Sequence, residues 1–142
     1  MYSGFVNNLI TGVYGKGKIL LQPFAFKDEE HGLIEIPAGF ITDGASIPRF
    51  GWSIINVSPF SSTVIYAAVV HDWLYATNQI SRRKADKVFY RAMMSQRYLT
   101  NFQIKVMYRC VRLFGGAAYK KDVDIDKIIY PDKLKHYINC NG

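Results

Sequence analysis

The chain has 142 residues, 49% of them hydrophobic and 15% aromatic, with a net charge of +7. That composition excludes a disordered or collagen-like chain and suffices for the core of a single domain. The charge is lopsided: residues 1–71 carry 4 basic and 5 acidic side chains, net −1, while residues 72–142 carry 14 and 6, net +8. An anionic partner is therefore expected at the C-terminal half. Cys110 and Cys140 form neither a metal-ligand spacing nor a disulfide framework, which suits a reducing compartment. The stretch MYSGFVNNLITG lacks a basic start and a long apolar run, so no signal peptide is expected.

Residues 1–41 read as β. Lys18–Phe26 is expected as one strand, confined to an edge or a bulge by Pro23. Lys27–Gly32 is a polar turn, and Leu33–Ile36 returns as the second strand of a hairpin. Pro37-Ala38-Gly39 suits a type I turn with proline second and glycine fourth. Thr42 to Arg49 is a loop of small, turn-forming residues in which Gly44 can take positive φ. Residues 50–57 read as an apolar connector around Trp52.

Three helices are predicted next. The first spans 59–77, with Ser58 as N-cap and Pro59 at the first helical position. Its run Val64–Val70 is apolar on every side, which marks a core helix, and it falls short of the roughly 20 apolar residues of a membrane span. The second runs from the N-cap Ser81 to about Arg97, with Ala85, Val88, Phe89, Ala92 and Met93 as its apolar face. The third runs from Thr100 or Asn101 to a glycine C-cap at Gly115-Gly116. Short linkers favour antiparallel neighbours. Ala117–Gly142 is expected as a charged tail that wraps the body. The expected fold class is α+β in a single domain, residues 1–142. A small N-terminal antiparallel β unit and Gly/Ser loop (1–49) precede the helical core (59–116) and the tail (117–142).

His71 and Asp72 end the apolar run, and a buried carboxylate needs a partner. Adjacent helical residues point about 100° apart, so each faces its own neighbour. Tyr75 shares the face of His71. Asp86, the acid of the second helix, is positioned to reach the imidazole and fix its tautomer, as a general base requires. Asp72 is expected to face the loop holding Thr42, Asp43, Gly44, Ser46 and Arg49. There it meets backbone N–H groups, Arg49, or a hard cation such as Ca²⁺ with loop carbonyls completing its shell. The competing expectation is a structural cluster that ties the first helix to the loop and to the second helix. Lys105, Arg109 and Arg112 form a basic stripe on the third helix, and Arg82, Arg83, Lys84, Lys87 and Arg91 one on the second. These read as solvated faces open to phosphate, with no motif for reading specific nucleic-acid sequence. His31 and His136 read as surface residues.

Two resemblances follow from these motifs. Pro37-Ala38-Gly39-Phe40, Thr42-Asp43-Gly44-Ala45-Ser46-Ile47-Pro48-Arg49, His71-Asp72-Trp73-Leu74-Tyr75 and Ser81-Arg82 with Ala85-Asp86-Lys87-Val88-Phe89 resemble a phage- and prophage-encoded family of unknown function. That resemblance implies a virion or a bacterial host cytoplasm. The His-Asp pair with tyrosine four residues after the histidine is similar to secreted-type phospholipases of the A2 class. It implies His71 as general base, Asp72 as calcium ligand, and Tyr75 and Asp86 as supports. The chain departs from those enzymes in having no disulfide framework and no glycine-rich calcium loop of their kind, unless Gly39–Ser46 substitutes. The function expected is thus a virion-associated phage protein with a site for metal-assisted ester hydrolysis. The alternative is a non-enzymatic virion component, such as a tail or head-tail accessory protein. Expected partners are other virion proteins or host envelope lipid, with an anionic partner on the basic helices.

Overall fold

The computed structural model describes residues 3–42, 47–56, 64–119 and 128–141. Its N-terminal part holds strands β1 (Gly4–Phe5), β2 (Thr11–Tyr14), β3 (Gly17–Leu20), β4 (Phe24–Asp28), β5 (Gly32–Ile36) and β6 (Ile41–Thr42). They form two antiparallel three-stranded sheets, ordered β1-β4-β5 and β2-β3-β6. The strand expected over Lys18–Phe26 is therefore two strands in two sheets. Leu20 pairs with Thr11 in one sheet and Phe24 with Ile36 in the other. The step between them contains Pro23, which has no N–H to give to a ladder. The hairpin over β4 and β5 turns at Gly32, with φ 73°. Asp28 closes that turn by accepting from the backbone N–H groups of Glu30 and His31.

The turn after β5 also differs from expectation. The Phe40 N–H bonds the Pro37 carbonyl, so proline stands first and Gly39 third, with φ 92°. Positive φ at the third position is the type II requirement. Gly39 has a second reason to lack a side chain: a Cβ there would overlap the Ile129 carbonyl. Ile129 in turn donates to the Gly39 carbonyl at 2.8 Å, next to a bridge between Phe40 and Ile128.

The helical part holds α1 (Arg49–Ile55), α2 (Ile65–Thr77), α3 (Arg82–Gln96), α4 (Asn101–Phe114) and α5 (Pro131–Asn141), with a short 3-10 turn over Gly115–Ala117. The sequence anticipated the three central helices and missed α1 and α5. The connector read around Trp52 is the seven-residue α1, which buries Gly51, Trp52 and Ile55 against α4. Two turns are too few to display a periodic face. Within the expected tail, α5 buries Leu134. The described part of α2 begins at Ile65 rather than at residue 59, and Ser58 and Pro59 lie outside the described residues. α3 is capped by the Ser81 hydroxyl on the Lys84 N–H. α4 opens with a capping box between Thr100 and Gln103. Gly115 does end α4, but with φ −79°, so it is no left-handed cap. α2 is the centre of the core: every residue from Ala67 to Ala76 is buried.

The Gly39 contact anchors the segment leading into α5. Gly39→Ala should strain the turn by about 1–3 kcal/mol and release that segment. Limited proteolysis should then cut ahead of α5 in the variant and not in the parent, and an unchanged digest would refute the anchoring role.

Candidate functional site

His71, Tyr75 and Asp86 meet where α2 packs on α3. The His71 Nε2 lies 2.8 Å from Asp86 Oδ1, and the Tyr75 hydroxyl donates to the same oxygen at 2.5 Å. The other carboxylate oxygen, Oδ2, accepts from Arg112 at 2.7 Å and stands 3.9 Å from an Arg82 nitrogen. His71 and Asp86 have 0% exposure. The His71 ring lies against the tilted rings of Tyr75 and Phe89, at centroid distances of 4.1 and 4.6 Å.

The spacing explains the assembly. His71 and Tyr75 are one turn apart on α2, so both address one point on α3. Arg82 and Asp86 stand one turn apart on α3. Arg82 also donates to the Val111 and Arg112 carbonyls, each at 2.9 Å, and so closes the C-terminal end of α4 with a positive charge. Tyr119 packs edge-on against Tyr75, and its hydroxyl lies against the Asn78 side chain and, at 2.6 Å, the Ile80 carbonyl.

The electrostatics follow. Burial pushes the Asp86 carboxyl up, but the bonds from His71, Tyr75 and Arg112 outweigh it and hold the group below the usual carboxylate range. Burial, and then the bond to Asp86, push the Tyr75 phenol well above its ordinary value, so it stays a donor.

Asp72 faces elsewhere. It is buried, and its Oδ2 accepts from the Thr42 hydroxyl at 2.9 Å. Thr42 reaches it as the last residue of β6, which is held by the pairing of Thr42 with Lys18. Asp43, Gly44 and Ser46 lie outside the described residues. Arg49 opens α1 with an exposed side chain, and among the described residues no ion pair joins it to Asp72. Ca²⁺ takes six to eight oxygens, and the Asp72 carboxylate with the Thr42 hydroxyl beside it would supply only part of such a shell. Among the described residues no group of three His, Cys, Asp or Glu side chains is placed to hold a metal. They do not by themselves make a calcium shell.

The basic stripes expected to be solvated are partly structural. Arg112 and Arg82 turn inward to Asp86 and the α4 end. Arg91 binds Asp28 through two nitrogens at 2.7 and 3.0 Å. His31 is not a bare surface residue either, since its Nδ1 lies 2.9 Å from Asp28. The signal for Arg112 was present: Asp86 is the only acid of α3, its neighbours Ala85 and Val88 are apolar, and such a carboxylate needs a cation.

Residues 19–111 match a sequence family described as "Protein of unknown function (DUF1353)". The chain belongs to this family. The matched span runs from β3 into α4, contains Thr42, His71, Asp72, Tyr75 and Asp86, and ends one residue before Arg112. The chain is also 32% identical over 96 residues to the uncharacterized protein y4jT of Sinorhizobium fredii (strain NBRC 101917 / NGR234). That alignment takes in 68% of the chain and 28% of y4jT, so the DUF1353 chain spans well under half the length of this relative. No solved structure matches.

Two outcomes test the cluster. A Cβ on Gly115 would lie 2.9 Å from the Tyr75 hydroxyl, so Gly115→Ala should cost about 1–3 kcal/mol by overpacking. Tyr75→Phe, which removes that oxygen, should relieve most of the clash. Urea denaturation of the two single variants and the double variant checks this, and additive losses would mean that Gly115 is not shaped by Tyr75. The second outcome is acid sensitivity. Because the folded-state pKa of Asp86 is depressed, its stabilisation is complete above the unfolded value of about 4 and is lost as pH falls through the folded value. Stability should drop below about pH 4, and less steeply in Asp86→Asn than in the parent. Equal acid limbs would contradict the depressed pKa.

Proposed function

We propose that the protein hydrolyses a carboxylic ester, of the phospholipid class, with His71 as general base. The observation that carries this reading is the set of bonds on Asp86 Oδ1, which takes the His71 Nε2 and the Tyr75 hydroxyl together. An ionised Asp86 accepts only, so Nε2 carries a proton toward it, and in the neutral tautomer that a general base uses Nδ1 is the atom that takes the proton. Nδ1 then takes a proton from water as the water oxygen bonds the ester carbonyl carbon. The proton passes to the departing alkoxide when the C–O bond breaks, which returns His71 to its neutral state. Asp86 stays ionised throughout, held by Arg112. The resemblance to A2-type phospholipases supports the ester class and a role for Ca²⁺ at Asp72. No step is routed through the ion, because the described residues do not make its shell.

The complete burial of His71 favours a second reading, in which the same cluster is a structural knot in a non-enzymatic phage protein. The motif resemblance supports a setting in a virion or the bacterial host cytoplasm, which mass spectrometry of purified particles addresses.

The deciding experiment is hydrolysis of phospholipid and of a short soluble ester, run with Ca²⁺ in excess and again with chelator. His71→Ala should lower the rate about 10²–10⁴-fold, while circular dichroism verifies that the variant is folded. Parent and variant equally inert in the folded state would overturn the hydrolase reading and support the structural one.

A further inference from the structure

Five large apolar side chains lie exposed on two adjoining helices. Phe50 and Ile54 on α1 are 45% and 57% exposed, and Phe102, Leu113 and Phe114 on α4 are 69%, 72% and 56% exposed. Phe102 and Leu113 share the outer face of α4, and Phe114, about 100° round from Leu113, joins that face to α1 by its contact with Phe50. Gly51 packs on Cys110 and Met107, Gln103 donates to the Ile55 carbonyl, and the Phe50 and Phe114 rings meet edge to face at 4.9 Å. At about 100° per residue, Phe102, Arg109 and Leu113 fall within roughly 40° of one another on α4, with Lys105 roughly 40° further round. The opposite side of α4 buries Ile104, Met107 and Val111.

Beyond Lys105 the surface continues onto α3, because Tyr108 and Arg112 on that flank meet Tyr90 and Asp86. Arg83 and Lys87 are the exposed cations of α3 next to this flank. Among the described residues of α1, α3 and α4 there is a single acid, Asp86, and it is buried. Clustered exposed apolar side chains need an explanation, and here they sit beside a row of cations on helices whose one acid is buried.

We propose that this α1–α4 face docks on an anionic lipid bilayer. Phe102, Leu113 and the Phe50–Phe114 pair enter the headgroup region, and Lys105, Arg109, Arg83 and Lys87 meet lipid phosphates. A second copy is a poorer occupant, because two cationic faces repel. Nucleic acid would use the cations but leave the aliphatic side chains in water. The inference deepens the ester-hydrolase reading by giving it a lipid surface. Its test is a binding measurement that needs no turnover.

Full-length protein is co-sedimented with vesicles of phosphatidylcholine containing phosphatidylglycerol, and with phosphatidylcholine alone, at low and high salt. It should partition to the anionic vesicles, less so at high salt. Lys105→Glu with Arg109→Glu should weaken binding by more than tenfold, given roughly fivefold per cation removed. Phe102→Ser with Leu113→Ser should weaken it at low and high salt alike. All four side chains are exposed, and matching thermal melts check that the variants fold. Binding indifferent to both pairs would overturn the proposal. So would duplex DNA binding lost only in the charge pair, or a dimer abolished by Leu113→Ser without vesicles. Loss of vesicle binding with retained His71-dependent cleavage of the soluble ester would sink the docking face alone. Vesicle binding by an inert protein would sink the hydrolase reading alone.

Discussion

The arrangement of the helices turns on one carboxylate that has no contact with water. Removing an ion from water costs several kcal/mol unless partners repay it with good geometry. Asp86 meets that requirement from three helices. His71 and Tyr75 come from α2, Arg112 comes from α4, and Asp86 itself belongs to α3. Its position therefore fixes how all three helices sit. A slide of α3 along α2 would leave a buried charge facing apolar side chains. The penalty for that is far steeper than for a shifted apolar contact.

α3 carries a second such knot on another side. Arg91, five residues after Asp86, takes the Asp28 carboxylate at the end of β4, and His31 and the β4–β5 turn complete it. Burial raises the Asp28 pKa, but the bonds from Arg91 and His31 outweigh it and lower the group overall. α3 thus holds the helical hairpin by an acid and the β4–β5 hairpin by a base. The two interactions are directional, unlike the apolar packing around them, and they set the register between the β part and the helices.

How much of this could be read in the sequence depended on whether the cause was local. Ser81 and Thr100 cap α3 and α4 through their own next turns, so both N-termini were legible. So was the meeting of His71, Tyr75 and Asp86, because helix periodicity and a short linker leave little choice. The split between β3 and β4 was not legible, because both halves are apolar and only partner strands distinguish them. The same holds for α1, two turns long, whose Gly51 seats against Cys110 of α4. Arg112 was read as solvated because its i, i+3 and i, i+7 neighbours are cations, and the acid that claims it lies on another helix.

Arg112 and Leu113 are adjacent, so they point about 100° apart from one helix end. One goes to a fully buried carboxylate, the other to solvent at 72% exposure. Arg82 clamps that end by its bonds to the Val111 and Arg112 carbonyls, and Gly115 brings the backbone within reach of the Tyr75 hydroxyl. The end of α4 is thereby tied to Asp86 through Arg112, and Asp86 to the imidazole of His71. Arg112 and Leu113 thus place the buried carboxylate and the exposed apolar surface on two sides of one helix end.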